Sequence, residues 1–263
     1  SPREVTEKMS KSIRITDNLA ETRLSRSEQI RAIVEKRGIN TLIHFTRIDN
    51  LDSILHWGLL SRRELDKWPE ARRPNYNDVK RLDKQLDAVC ISISFPNYQM
   101  FHKYSKRDKH NWIMLLLNPS LLWELDCAFC RRNAACKSVT RIPVEERKSA
   151  RAFQSMFDDL EGAKRELLQI PDHYTTDPQA EVLVFEPIKP QYIYEVHFCD
   201  DNVLRNWQES KRKFKPKCNP EVRLDKRFFR PRQDYKFWSP SAQPFEIDPD
   251  IPISFLNEMD INW

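Results

Sequence analysis

The chain has 263 residues, 40% of them hydrophobic and 32% charged, with a formal net charge of +5. That length suits one large domain or one domain with extensions, and no apolar run approaches the roughly 20 residues needed to span a bilayer. The opening SPREVTEKMSKSIR lacks the apolar stretch of a secretory signal, so the expectation is a soluble, cytoplasmic protein without membrane contact.

Only three glycines occur, Gly38, Gly58 and Gly162. This excludes a Gly-rich phosphate loop and the usual dinucleotide fingerprint. Six cysteines are too few for a disulfide scaffold in a chain this long. Cys127, Cys130 and Cys136 have a spacing that could serve zinc, but no histidine stands beside them and a fourth ligand must come from elsewhere. Free thiols and no metal are therefore expected. Charge is uneven: residues 211–236 hold eleven Lys/Arg against three Asp/Glu, an electrostatic footprint for a polyanion.

Residues 1–24 are polar and read as an extension. Ser25-Arg-Ser-Glu28 is a capping box, Ile30, Ile33 and Val34 form one apolar helical face, and Gly38 closes the helix. TLIHFT, residues 41–46, reads as a strand. A helix over about 50–57 follows, with Leu51, Ile54 and Leu55 on one face and Gly58 at its end. Residues 61–86 read as a long loop or short helices. Val89, Ile91 and Ile93 alternate with Cys90, Ser92 and Ser94 in a second strand. A short helix after Pro96 carries Met100, Phe101 and Tyr104.

WIMLLL, residues 112–117, reads as a buried strand, and Pro119 opens a helix through Leu125. Residues 126–148 read as irregular and 149–169 as one helix with Phe153, Met156, Phe157 and Leu160 on a stripe. PDHYTTDP, 171–178, is a loop. AEVLVF, 180–185, and YIYEVHF, 192–198, are strands. The pattern is a mixed α/β (α+β) domain over 25–200, not a regular βαβ repeat, followed by a basic, aromatic arm over 201–263 that packs on the domain or extends it.

Four constellations could carry chemistry. Glu181 starts an apolar strand after a turn-rich loop. A carboxylate so placed can hold a sugar hydroxyl and favour an oxocarbenium-like state as a glycosidic bond breaks; taken alone, it reads equally as a surface glutamate. His44 and Thr46 share one strand face and could bind a ligand amide or ribose, though a half-buried histidine satisfied by the fold reads the same way. Arg81, in a loop before the second strand, could pair with a diphosphate or be one more surface arginine. Ser92 and Ser94 are small donors on that strand's polar face. In the arm, Lys211, Arg212, Lys213, Lys215 and Lys217 interleave with Phe214, Phe228 and Phe229. Such a segment can bind phosphates and stack on unpaired bases, or its aromatics can tuck onto the core.

Together, LIHFTRIDNLDSILHWGLLS, NDVKRLDKQLDAVCISISFPNYQMF, WIMLLLNPSLLWELDCAFC and TDPQAEVLVFEPI resemble, in order and spacing, the DarT family of DNA ADP-ribosyltransferase toxins over roughly residues 40–200. The resemblance implies an ADP-ribosyltransferase fold with a split central sheet and an NAD+ cleft. It implies transfer of ADP-ribose to a base of single-stranded DNA, in a toxin–antitoxin pair whose partner, a macrodomain or related hydrolase, reverses the mark, and a part in phage defence. By motif position, Glu181 would be the catalytic glutamate and Arg81 the active-site arginine. His44 and Thr46 would contact NAD+, with Ser92 nearby and Tyr104 against the nicotinamide. The loop and helix over 149–179 would face the acceptor, with Arg165 and His173 touching the strand. The ISISFPNYQMF block departs from the thymidine-modifying branch and points to guanosine as the acceptor. RNA offers the same phosphates and base faces, so transfer to RNA or protein, or nucleic-acid binding without catalysis, are the competing readings.

Overall fold

The computed structural model describes residues 24–68 and 87–238. Helix α1, Arg26–Arg37, begins as the sequence dictates: the Ser25 side chain accepts from Glu28 N–H while the Glu28 side chain accepts from Ser25 N–H. It ends at Gly38, which takes the left-handed conformation at φ 66° and returns its N–H to Glu35 and Val34. Ile30 and Val34 are buried beneath it, each contributing about 1.5–3 kcal/mol of apolar burial.

Strand β1, Leu42–Arg47, leads through a single tight turn, Ile48–Asn50, into helix α2, Leu51–Trp57. Gly58 follows at φ 82°, and a Cβ there would collide with the carbonyl of Ile188. Leu59 and Ile188 exchange backbone hydrogen bonds at 2.9 Å just beyond it, so the close approach excludes any side chain at Gly58. Helix α3 is Arg62–Lys67, strand β2 is Val89–Ile93, and helix α4 is Tyr98–Ser105, capped by the Asn97 side chain. Strand β3, Trp112–Leu117, is buried along all six residues, because both faces of the sheet are covered where it runs. Helix α5, Leu121–Glu124, is shorter than the Pro119–Leu125 span expected.

Two expectations fail next. Residues 126–148 are not irregular: Cys127–Cys130 is strand β4, and helix α6, Lys137–Thr140, follows. All four β4 residues are buried, so the alternation that marks a half-buried strand is absent. Residues 149–169 are not one helix. Helix α7, Ala150–Ser155, stops; the chain turns at Gly162, φ 75°, with Leu160 and Ala163 paired across the turn, and helix α8, Arg165–Leu168, is separate. The apolar stripe survives the break, since Phe153, Met156, Phe157 and Leu160 are all buried. Strands β5, Glu181–Val184, and β6, Ile193–Phe198, fall where expected. The arm then contributes helix α9, Asp201–Glu209, and strand β7, Glu221–Leu224, which pairs parallel to β6.

Among the described residues, seven strands form one open sheet in the order β4-β5-β2-β1-β3-β6-β7, antiparallel except for β6 and β7. The sheet is split. Strand β1 pairs with β3 over six residues but with β2 over only two, Leu42 with Ile93 and Ile43 with Ser92. Past Ile43 the halves β4-β5-β2 and β1-β3-β6-β7 separate. The main core covers one face with α1, α2 and α7. On the other face, Ile43, Phe101, Met114 and Phe229 pack under one half and Ala128, Cys130 and Leu183 under the other.

Candidate active site

Polar residues of β1, β2 and β5 lie beside the split. His44 is the first residue of β1 beyond its pairing with β2, and its Nδ1 donates to the carbonyl of Cys90 at 2.9 Å. A carbonyl only accepts, so this contact places the ring proton on Nδ1. The imidazole thus bridges backbone that the strands no longer pair. Thr46 is buried on the same face, and its hydroxyl accepts from the Asn50 side chain at 3.0 Å.

On β5, Glu181 is the first strand residue and is 5% exposed. Its Oε2 accepts from the backbone N–H of Ala134 at 2.9 Å. Asn133 sets that donor: its side chain accepts from Ala135 N–H and its carbonyl from Cys136 N–H, both at 2.9 Å. This is the Asx-turn that asparagine favours. Cys90 pairs with Leu183 and Ile91 with Val182, so the same register continued puts Ser92 opposite Glu181. The Ser92 hydroxyl accepts from Asn97 N–H at 3.1 Å. Ser94, two residues on, holds a left-handed backbone at φ 59° and a buried hydroxyl with no hydrogen-bond partner. Strain of that kind costs on the order of 1–3 kcal/mol and gathers at ligand sites.

The loop before Glu181 is built from buried polar groups. Asp177 accepts from Gln179 N–H at 2.8 Å through its side chain and from Ala180 N–H at 3.1 Å through its carbonyl. Burial raises its carboxyl above the usual range. Arg165 donates to the carbonyls of Tyr174 at 2.8 Å and Pro171 at 3.0 Å and to the Thr176 hydroxyl at 3.1 Å. It therefore fastens the loop from within. His173 is half-buried, edge-on to Tyr174 at 4.8 Å, and burial lowers its pKa.

Not all expected residues converge. Ser92 and Glu181 lie on the sheet face opposite to the one that strand alternation gives His44 and Thr46. Tyr104 packs on the cluster of Phe101, Trp112 and Phe229, also away from the His44 face. Arg81 lies outside the described residues. Cys127 faces the main core and Cys130 the smaller cluster, because residues three apart on a strand point to opposite faces; Cys136, beyond the strand, also packs in the smaller cluster. Burial pushes the Cys127 thiol up to about 12. Cys130 accepts from Arg147 at 3.2 Å.

The arm divides into parts. Phe228 and Phe229 are 8% and 1% exposed, so stacking on a base is closed to them and their role is core packing. Residues 211–217 lie along α2: Lys217 N–H donates to the Leu55 carbonyl at 2.9 Å, and the His56 ring bonds the Lys215 carbonyl at 2.6 Å. Arg212 lies over the Trp207 ring at 3.7 Å and bonds the Trp207 carbonyl, while Lys211, Lys213 and Lys215 are exposed. An open hollow of about 280 Å³ lies elsewhere, lined by Lys109, His110, Lys226 and Arg230 among others.

The split sheet, with a buried glutamate opening one strand and a histidine bridging the gap, lies within a chain whose matching family model is that of an ADP-ribosyltransferase. The family model described as "ssDNA thymidine ADP-ribosyltransferase, DarT" matches residues 43–229, well over half the chain. The chain belongs to the DarT family. Comparison with curated protein sequences gives no match. Among solved structures, Thermosipho africanus DarTG in complex with ADP-ribose is similar at 17% identity and a TM-score of 0.48, over 72% of this chain and 51% of that one. The chain thus spans about half the length of that protein. Thermus sp. 2.9 DarT is similar in its complex with NAD+, at 16% identity, a TM-score of 0.43 and 73% and 98% coverage. Its complex with ADP-ribosylated ssDNA gives 15%, 0.45, 73% and 97%.

Proposed function

We propose that this chain transfers ADP-ribose from NAD+ to a base of single-stranded DNA and releases nicotinamide. The bond between nicotinamide and ribose C1′ breaks, its electron pair leaving with nicotinamide. A base atom attacks C1′, and the proton that atom loses passes to Glu181 or to water. Glu181 is the observation that carries this reading: a buried carboxylate held by the Ala134 amide, where it can bind a ribose hydroxyl and favour the cationic transition state. His44 and Thr46 bind the nicotinamide half through the gap where β1 and β2 part, from the sheet face opposite Ser92 and Glu181; Ser92 lies beside Glu181, and Arg81 pairs with the diphosphate. Tyr104 is given an aromatic contact to nicotinamide by family resemblance alone. The loop over 171–179, fastened from within by Arg165 and carrying His173, faces the acceptor, and Lys211, Arg212, Lys213 and Lys215 hold phosphates of the strand.

The family description names thymidine as the base. The ISISFPNYQMF block is the ground for guanosine. Oligonucleotides that lack one base or the other, incubated with NAD+ and analysed by mass spectrometry, separate the two. Modification of RNA or of protein in the same assay would replace the DNA reading. Membership of the DarT family supports a cognate antitoxin that reverses the modification. We place the enzyme in the cytoplasm, where both NAD+ and DNA are present.

A further inference from the structure

The loop that delivers Glu181 is gripped from outside by a part of the chain beyond the family match. Arg232 and Asp234 are each 1% exposed at the side chain. They form a two-bond pair, Nε to Oδ1 at 2.7 Å and Nη2 to Oδ2 at 2.6 Å. The guanidinium then reaches across the molecule to two consecutive carbonyls, Thr175 through Nη1 at 2.8 Å and Thr176 through Nη2 at 3.0 Å. Arg165 holds Pro171 and Tyr174 of the same loop, so two arginines fix four carbonyls within six residues. From Thr176 the constraint runs on through Asp177, whose bonds to Gln179 and Ala180 set the entry to β5. Trp238 closes the far side, donating to Asp234 Oδ2 at 2.7 Å, and the Gln233 side chain donates to the Gln169 carbonyl at 2.7 Å.

Building on the transferase reading above, we infer that Arg232 and Asp234 are positioning residues that hold the 171–179 loop and, through it, Glu181 in the reactive arrangement. A buried ion pair need not add net stability, since apolar replacement of both partners is often neutral. What this pair supplies beyond packing is a planar fork matched to a carboxylate and two carbonyls at once, which lysine cannot reproduce. Catalytic geometry tolerates displacements well below an ångström, so a loosened loop should lower turnover more than NAD+ binding.

The test uses the full chain with Arg232→Met/Asp234→Leu and Arg232→Lys, and Glu181→Gln in parallel. The double variant should remain folded but melt a few degrees lower, because the Thr175 and Thr176 carbonyls and the Trp238 N–H lose their partners. Its Thr176 and Ala180 amides should exchange at least tenfold faster, and kcat for transfer should fall about tenfold or more with KM for NAD+ within threefold. Arg232→Lys should fall in kcat and recover little of it. A stable double variant with wild-type amide protection and wild-type kcat would overturn the inference. Should Glu181→Gln itself turn over like wild type, the functional reading fails instead, and the exchange measurement still decides whether the pair holds the loop.

Discussion

Glu181, His44 and Thr46 were legible as candidates because a polar side chain on an apolar strand stands out against its neighbours. What holds them was not legible. The donor to Glu181 is the backbone N–H of Ala134, and a main-chain amide has no side-chain signature. The one trace is Asn133, a turn-forming residue beside two alanines. Glu181→Ala should keep the fold and lower transfer a hundredfold or more, the scale expected for removing an electrostatic stabiliser of the transition state. Turnover close to wild type in a folded variant removes Glu181 from the reaction. His44→Ala should weaken NAD+ binding by about 1–3 kcal/mol if its bonds to the ligand are charge-assisted, which calorimetry reads directly. Asn133→Ala should lower kcat and leave the melting temperature within a few degrees, because it releases the turn that aims the Ala134 amide.

Among the elements, those with caps or clean periods were read within a residue or two, as α1 and β1 illustrate. Failures fell where a competing signal dominated. The apolar stripe over 153–160 suggested one helix, but α7 stops at Ser155 in tighter three-residue turns, and Gly162, at φ 75°, turns the chain again before α8. Residues 201–263 read as one basic, aromatic arm packed on or extending the domain, and that reading passes over α9, whose Val203, Leu204 and Trp207 pack on the main core. Parallel pairing of β6 with β7 could not be read from a four-residue strand that is exposed or half-buried throughout. Gly58→Ala belongs to this scale. It combines a positive φ with a collision against the Ile188 backbone, so it should destabilise by more than the roughly 0.4–1 kcal/mol by which a compatible Gly→Ala change stabilises. A thermal melt that matches wild type would mean the α2 end and the 188 turn can part without cost.

For the whole molecule, the fold class and the split were implied by the order of four sequence blocks, which no single block could have carried. Charge distribution supplies the matching test of strand binding. Replacing Lys211, Lys213 and Lys215 by glutamine should flatten the dependence of log affinity on log salt by about 2 for single strands, without changing acceptor-free NAD+ hydrolysis. An unchanged slope places the strand elsewhere, with the hollow at Lys109, Lys226 and Arg230 the next positive surface to neutralise. The most direct measurement is mass spectrometry of single-stranded oligonucleotides incubated with NAD+ and either the wild-type chain or Glu181→Gln. An ADP-ribose adduct on a DNA base with the wild type, and none with the variant, is the expected result. An unmodified strand with the folded wild type, or an equal adduct with the variant, would contradict the assignment of this site.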